Sequence, residues 1–427
     1  MGTSARTLDP SALRSELQRA LFAAPPELRD AFALELEGFA FGGATPRRAR
    51  LAELRELAES IAPDCAATVA DPLDVDFGRS SPPGAPRISF GAGGQWRLRS
   101  GAFQRPREAW ESCERLHASF SAACADRGLK LVSLGVDPWS HERDVDLQDP
   151  STTARCLAAA NESTAAREHR RMSAATRVFI GLGGDVARAP RLAAARALAP
   201  VVAELFANSP LAQGASTGSL SLRVERRRAA AHEDAVREPD VLDENGLLEC
   251  ALDSRVAIVR ARETWHPQPQ LLRFRDWLAH GRAGVFPDAS DWRAHLEALD
   301  LPVRPRGWIE IDAQDAQMPP FAAVPLVLWS ALLDDARALA EAPKIATAPP
   351  DERARRVFVL AADALARRPT NWCGTPSLAA FVDFGRRFAL RGATPADELL
   401  RLFAARGRFG LAEYDELARC GSAVRTA

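Results

Sequence analysis

Two short stretches put acidic residues two apart with aliphatic residues between them. One is Leu34-Glu35-Leu36-Glu37, inside "DAFALELEGFAF" (30–41); the other is "WIEID", Trp308 to Asp312. Side chains two apart share one face of a strand, whereas on a helix they diverge. The pattern therefore predicts strands with an aliphatic back, Leu34 and Leu36 in one and Ile309 and Ile311 in the other. In front stand the pairs Glu35/Glu37 and Glu310/Asp312. One such pair is explained by a solvated strand flanked by arginines. Two in one chain point to a sheet with an acidic face. Like charges side by side repel unless a cation lies between them, and Mg²⁺ carrying substrate phosphates is the usual such cation.

The rest of the chain alternates irregularly between helix and strand signals. Helices are predicted over 9–29, 47–62, 106–128, 190–207, 273–281, 288–299 and 322–342. Asp9-Pro10 and Asp288 or Ser290 supply start signals. Strands are predicted over 87–101 (two, around a glycine turn), 129–139, 176–184, 219–226, 255–261 and 304–312. Residues 71–86 read as a turn-rich loop, 140–171 fit loop or helix equally, and 345–427 are mostly helical. Strands separated by long helices without regular βαβ alternation predict an α+β fold, taken as one domain over 1–427.

The stretch "LFANSPLAQGASTGSLSLR" (205–223) leaves a long apolar helix through small hydrogen-bonding residues and carries no charge until Arg223. It reads either as a buried turn with Arg223 in a salt bridge, or as a turn built to aim Arg223 at a site.

Composition narrows the function. Lys+Arg 55 against Asp+Glu 56 gives a net charge of −1, which argues against a nucleic-acid or membrane partner held by bulk charge. Lys130 and Lys344 are the only lysines, so a lysine nucleophile has few candidates. The seven cysteines stand singly, without metal spacing, and read as reduced, buried thiols. No apolar run approaches a membrane span and the first residues lack a signal core; the expectation is a cytoplasmic protein.

Taken in order, these segments resemble the glutamate–cysteine ligases of the plant and proteobacterial type. The Phe-Ala-Asn-Ser-Pro element at 206–210 is the most specific match. "LELEGFAFG", "ISFGAGGQWRLRSG", "LVSLGVDPW", "GLLECALDSRV", "FRDWLAHG", "DWRAHLEAL", "RPRGWIEI" and "VPLVLWSALLDD" are similar to other segments of that family, and the matches run collinearly from about residue 30 to 340.

The resemblance implies a glutamine-synthetase-like fold: a curved antiparallel sheet forming a funnel, surrounded by helices. It implies ATP and Mg²⁺ in the funnel, an acyl phosphate made from a substrate carboxylate, and an amine, that of cysteine, displacing phosphate. The partners are small molecules. Carried over by position, Glu35, Glu37 and Glu310 become metal ligands, and Arg223 and Glu310 catalytic residues. Asn208, Ser209 and Arg306 become nucleotide-site residues. Arg97 is expected at the nucleotide site not by carry-over but because it or Arg99, standing where the family has other residues, would replace a metal electrostatically and hold phosphate directly.

Several positions depart from the family pattern. Gly91 stands where the family has a metal-binding glutamate, and Arg97 and Arg99 where it has Glu and Ser. Phe179 and Gly181 replace a Gln-x-Asn pair near the nucleotide, and Asp312 replaces an arginine. A Met-Pro-Lys-x-Arg-Tyr segment has no counterpart in 151–172. A missing carboxylate and added arginines weaken cation binding. Two alternatives to glutamate–cysteine ligation follow: a ligase with another acid or amine, and a catalytically impaired relative that binds or scaffolds.

Overall fold

The computed structural model describes residues 8–69, 85–145, 164–233, 238–239, 241–256, 258–261, 264–267, 272–282 and 284–420. The loop expected over 71–86 falls almost wholly outside these, as do 146–163 of the ambiguous stretch; Thr164–Met172 is helix.

The main strands are β1 (Phe32–Gly42), β2 (Arg47–Arg48), β3 (Thr68–Val69), β4 (Arg87–Phe90), β5 (Trp96–Arg99), β6 (Leu129–Val132) and β7 (Thr176–Gly181). β8 (Leu211–Ala212) with β9 (Ala215–Ser216), and β10 (Ile258–Ala261) with β11 (Thr264–Pro267), make two separate hairpins. β12 (Val303–Pro305) and β13 (Trp308–Ile311) return to the main sheet. That sheet runs β12-β13-β7-β1-β5-β4-β3, with β2 and β6 paired to the far half of β1. Its pairs are antiparallel except β3 with β4. The fold is α+β as expected, but the expected funnel is an open one, because the sheet does not close on itself. Its β12 edge holds Pro305 and is preceded by Pro302. Proline cannot donate to another strand.

β1 organises the sheet. Its back residues Leu34 and Leu36 are buried in one core with Leu98, Val178, Ile309 and Ile311, beneath the helices Pro106–Asp126 and Val324–Leu333. Gly38 follows the glutamates because Trp96 lies on it: an added Cβ would sit 2.4 Å from the indole. The indole Nε1 donates to Phe39 O at 2.9 Å.

Three expectations need correction. Residues 219–226 are not a strand; Leu222–Glu233 is a helix. Ser221 starts it, its Oγ accepting from Val224 N at 3.3 Å. The following Glu, Arg and Ala residues are strong helix formers and outweigh a short alternation. The helix expected over 322–342 is two, Val324–Leu333 and Ala336–Ala346, because Asp335 caps the second through Ala338 N. The strand expected over 129–139 ends at Val132.

The described thiols Cys65, Cys113, Cys124, Cys250 and Cys373 are free. Burial pushes Cys124 and Cys373 up to about 12, so neither is a thiolate near neutrality. Cys156 and the side chain of Cys420 lie outside the described residues.

His295 gives an acid response. Packed against Phe274 and Trp292 and bonded to Ala251 O at 2.7 Å, it is lowered by burial from 6.5 to about 4. The unfolded chain then takes up the proton first. The stability this neutral ring provides is complete above the unfolded value and is lost as pH falls through the folded one. A shift of this size is worth on the order of 3 kcal/mol. His295→Gln is expected to show a smaller drop in Tm between pH 7 and pH 4.5 than the parent chain. Equal drops would remove His295 from the account.

Candidate functional site

The register of the sheet lays acids and arginines opposite each other. Glu35 faces Arg99 on β5 and Arg177 on β7; Glu37 faces Arg97. Across β7 and β13, Phe179 faces Glu310, and Glu310 faces Arg304 on β12. Opposed side chains share a face, so one surface carries rows in which charge alternates from strand to strand.

The carboxylates of this face are buried: Glu35, Glu37, Glu310 and Asp312 are 5%, 2%, 6% and 2% exposed. Each is met by two or three guanidinium groups. Arg177 reaches Glu35 at 2.9 Å, Glu37 at 3.1 Å and Asp312 at 3.3 Å. Arg97 lies 2.7 Å from Glu37, and Arg99 3.9 Å from Glu35. Arg304 bonds Glu310, with Arg306 at 3.7 Å. Arg227 bonds Asp312 at 2.5 Å, and Arg223 closes on the same carboxylate. At Glu310, Asp312 and Arg177 burial works against the charge, yet the surrounding partners win. Glu310 and Asp312 are held below the usual carboxylate range by the arginines, and Arg177 is held well above its ordinary value by Glu37, Asp312 and Glu35. These groups stay ionised near neutral pH.

The structure therefore brings Glu35, Glu37 and Glu310 to one buried face, with Arg97 and Arg306 beside them. The residues present do not fit the resident divalent cation expected from the sequence. Mg²⁺ needs carboxylate oxygens at about 2.0–2.1 Å in octahedral geometry. Here guanidinium groups crowd those oxygens. Among the described residues no three acidic, histidine or cysteine side chains are placed to hold a metal ion. At Gly91 an added Cβ would stand 2.5 Å from Gln95 Oε1, so a longer side chain there requires Gln95 to move. Gln95 is itself fixed, donating to Arg170 O and Ser173 O.

The turn after the helix Asp185–Leu205 is organised by a residue the sequence reading passed over, Asp315. Its carboxylate accepts from Asn208 N at 2.8 Å, Ser209 Oγ at 2.7 Å and Ser221 Oγ at 3.0 Å. Asn208 Nδ2 donates to Ala316 O at 2.8 Å. Asn208 and Ser209 thus meet the 312–317 segment rather than the strand face. Arg223, 2% exposed, donates to the carbonyls of Asp312, Ala313 and Gln314 from the second residue of its helix. It braces Asp312 from behind.

Arg177, Arg227 and Arg304 were also missed. Arg177 alternates with Val178 in "TRVFIG", which marks it as facing away from the core, but its neighbours depend on β7 lying beside β1. Arg227 is one turn beyond Arg223, on a helix whose first residues, up to 226, were expected to be strand. It also lines a cavity of about 380 Å³ between that helix, the helix Asp185–Leu205 and residues 300–303, with apolar walls including Ala199, Ala203 and Val303. At the other end of the face, Ala33, Phe179 and Trp308 form a small apolar cluster. Gly181 there meets the chain before β1: an added Cβ would stand 2.1 Å from Arg29 O.

Comparisons with known proteins agree with this architecture. A family model described as Glutamate-cysteine ligase family 2 (GCS2) matches residues 92–370. Glutamate–cysteine ligase EgtA of Mycolicibacterium smegmatis is 32% identical over 287 residues, covering 62% of this chain and 65% of that protein. The EgtA of Mycobacterium tuberculosis H37Rv is 28% identical over 316 residues, 70% of this chain and 66% of that one. The chain thus spans just under two thirds of the length of these relatives. The crystal structure of glutamate–cysteine ligase (gshA) from Francisella tularensis in complex with AMP superposes with a TM-score of 0.53 at 11% identity, over 95% of this chain and 90% of that one, a likeness of fold. No helix among the described residues is long and apolar enough to cross a membrane.

Proposed function

This chain belongs to glutamate-cysteine ligase family 2, and from that premise we propose that it is a cytoplasmic, ATP-dependent carboxylate–amine ligase of the glutamate–cysteine ligase kind. The observation that carries the reading is the buried face on which β1, β5, β7, β12 and β13 gather ionised acids and arginines.

The chemistry explains the need for such a face. A substrate carboxylate must approach a triphosphate, and two anions repel. Guanidinium groups in a site shielded from water offset that repulsion strongly and fix both anions for in-line transfer. The carboxylate oxygen attacks the γ-phosphorus, the bond to the ADP oxygen breaks, and an acyl phosphate forms. The amine then attacks the acyl carbon and phosphate leaves. In this reading Arg97, Arg177, Arg304 and Arg306 meet the anions. Glu35, Glu37 and Glu310 keep those arginines aligned. Glu310 is held ionised and so is not a proton donor near neutrality; its part, like that of Arg223 behind Asp312, is positioning. Asn208 and Ser209 act at one remove, by fixing Asp315 and the 312–317 segment.

The test is ADP release by the purified chain, with ATP and Mg²⁺ or Mn²⁺, against a panel of amino acids paired with amines that includes glutamate with cysteine. Release above the ATP-only rate with at least one pair is expected. Silence with every pair overturns the reading. One observation favours a second reading, a relative that binds nucleotide without turnover: every carboxylate of the face is already matched by arginine. It is chosen if ATP raises Tm by several degrees while no pair releases ADP.

A further inference from the structure

We propose that the arginines of this face hold the nucleotide's triphosphate directly, in the place of a resident divalent cation. The inference rests on reading the chain as an ATP-using ligase, and it concerns how that substrate is held.

The arginines are built into the strands. Arg97, Arg99, Arg177 and Arg304 stand at register positions opposite Glu35, Glu37 and Glu310, so the backbone fixes where they emerge. Their contacts with the acids are electrostatically close but unfinished as hydrogen bonds. The Nε atoms of Arg97, Arg177, Arg227 and Arg304, and Glu37 Oε1, are buried and make no hydrogen bond. Arg97 Nε and Arg177 Nε lie against Glu37 at 2.7 Å and Asp312 at 3.3 Å as ion pairs without hydrogen-bond geometry. Buried guanidinium donors are nearly always satisfied. A set of open ones on one face is what a tetrahedral oxyanion, with several lone pairs on each oxygen, would complete.

Charge points the same way. Four carboxylates of the face meet seven guanidinium groups, those of Arg97, Arg99, Arg177, Arg223, Arg227, Arg304 and Arg306. Asp300 and Asp315 beside them bring the acids to six and still leave an excess of positive charge. A bare divalent cation would enlarge that excess in a buried place, whereas a polyanion would cancel it. Arg97, the more exposed partner at 27% against 3% for Glu37, stands where an entering phosphate would meet the face.

The experiment is calorimetric titration of the full-length chain with ATP and with inorganic tripolyphosphate, each in Mg²⁺ buffer and in excess EDTA. It is repeated with Arg97→Gln and with Arg97→Lys, whose folding is checked by near-ultraviolet circular dichroism. Both anions are expected to bind in EDTA within about threefold of their affinity in Mg²⁺. Arg97→Gln is expected to weaken both by about tenfold or more, and Arg97→Lys by less, because an ammonium keeps the charge and loses the fork. ATP binding that needs Mg²⁺ and disappears in EDTA overturns this inference and leaves the ligase reading standing. Binding in EDTA that neither Arg97 variant changes also overturns it, since the phosphates are then held elsewhere. Absence of ATP binding under both conditions overturns the ligase reading itself.

Discussion

Arg177→Met is expected to destabilise the folded chain by about 3–5 kcal/mol, the cost of leaving buried charge without its partner. One guanidinium group lies within 3.3 Å of Glu35, Glu37 and Asp312, so its removal takes a partner from three buried acids at once and leaves Glu35 with the distant Arg99 at 3.9 Å. Methionine fills the volume of the stem, which isolates the charge from the packing. Arg177→Lys should fall between, because a single ammonium cannot present donors in three directions. Denaturant unfolding followed by circular dichroism measures all three chains. The double variant Arg177→Met with Glu37→Gln should recover part of the loss, since it removes one stranded charge. A loss below about 1 kcal/mol for Arg177→Met would place these pairs with ordinary surface salt bridges.

Asp315→Ala should be nearly as damaging, for a different reason. Asp315 is fully buried, and burial pushes its carboxyl above the ordinary range despite Arg223 and three hydrogen bonds. Its charge is therefore not what makes it valuable. Its oxygens satisfy the backbone of Asn208 and the hydroxyls of Ser209 and Ser221. A buried donor left without an acceptor costs about 1–3 kcal/mol, so alanine is expected to cost at least about 3 kcal/mol across the three. Asp315→Asn, which keeps one acceptor oxygen, should cost clearly less. The readout is the unfolding free energy of the two variants. Equal losses would mean that the turn over 208–221 is held by something other than these bonds.

The two acidic strands were legible because period-two alternation has one geometric solution. Leu34 and Leu36 cannot go inward unless Glu35 and Glu37 share the other face, and the same holds around Glu310. What countered those acids was not legible. Arg97 and Arg99 read as substitutions of family residues, yet their register opposite Glu37 and Glu35 makes them the partners of the very acids that had been assigned to metal. Arg177 required knowing that β7 pairs with β1, a neighbour about 140 residues away in sequence. Arg223 and Arg227 were obscured by a local error: "SLSLR" alternates over a few residues, but the helix-forming run behind it decides the backbone. Asp315 was visible in "WIEIDAQD" and carried no pattern of its own, because its partners lie on the far side of the fold.

One property of the face follows from lysine's near absence. Its cationic half is entirely guanidinium, a group that keeps its proton at any pH a folded chain survives. Acidification can silence only the negative half. The arginines that hold Glu310 and Asp312 below the usual carboxylate range delay even that, so the surface keeps its hold on anions as the medium sours, and no alkaline condition short of denaturation would reverse that attraction.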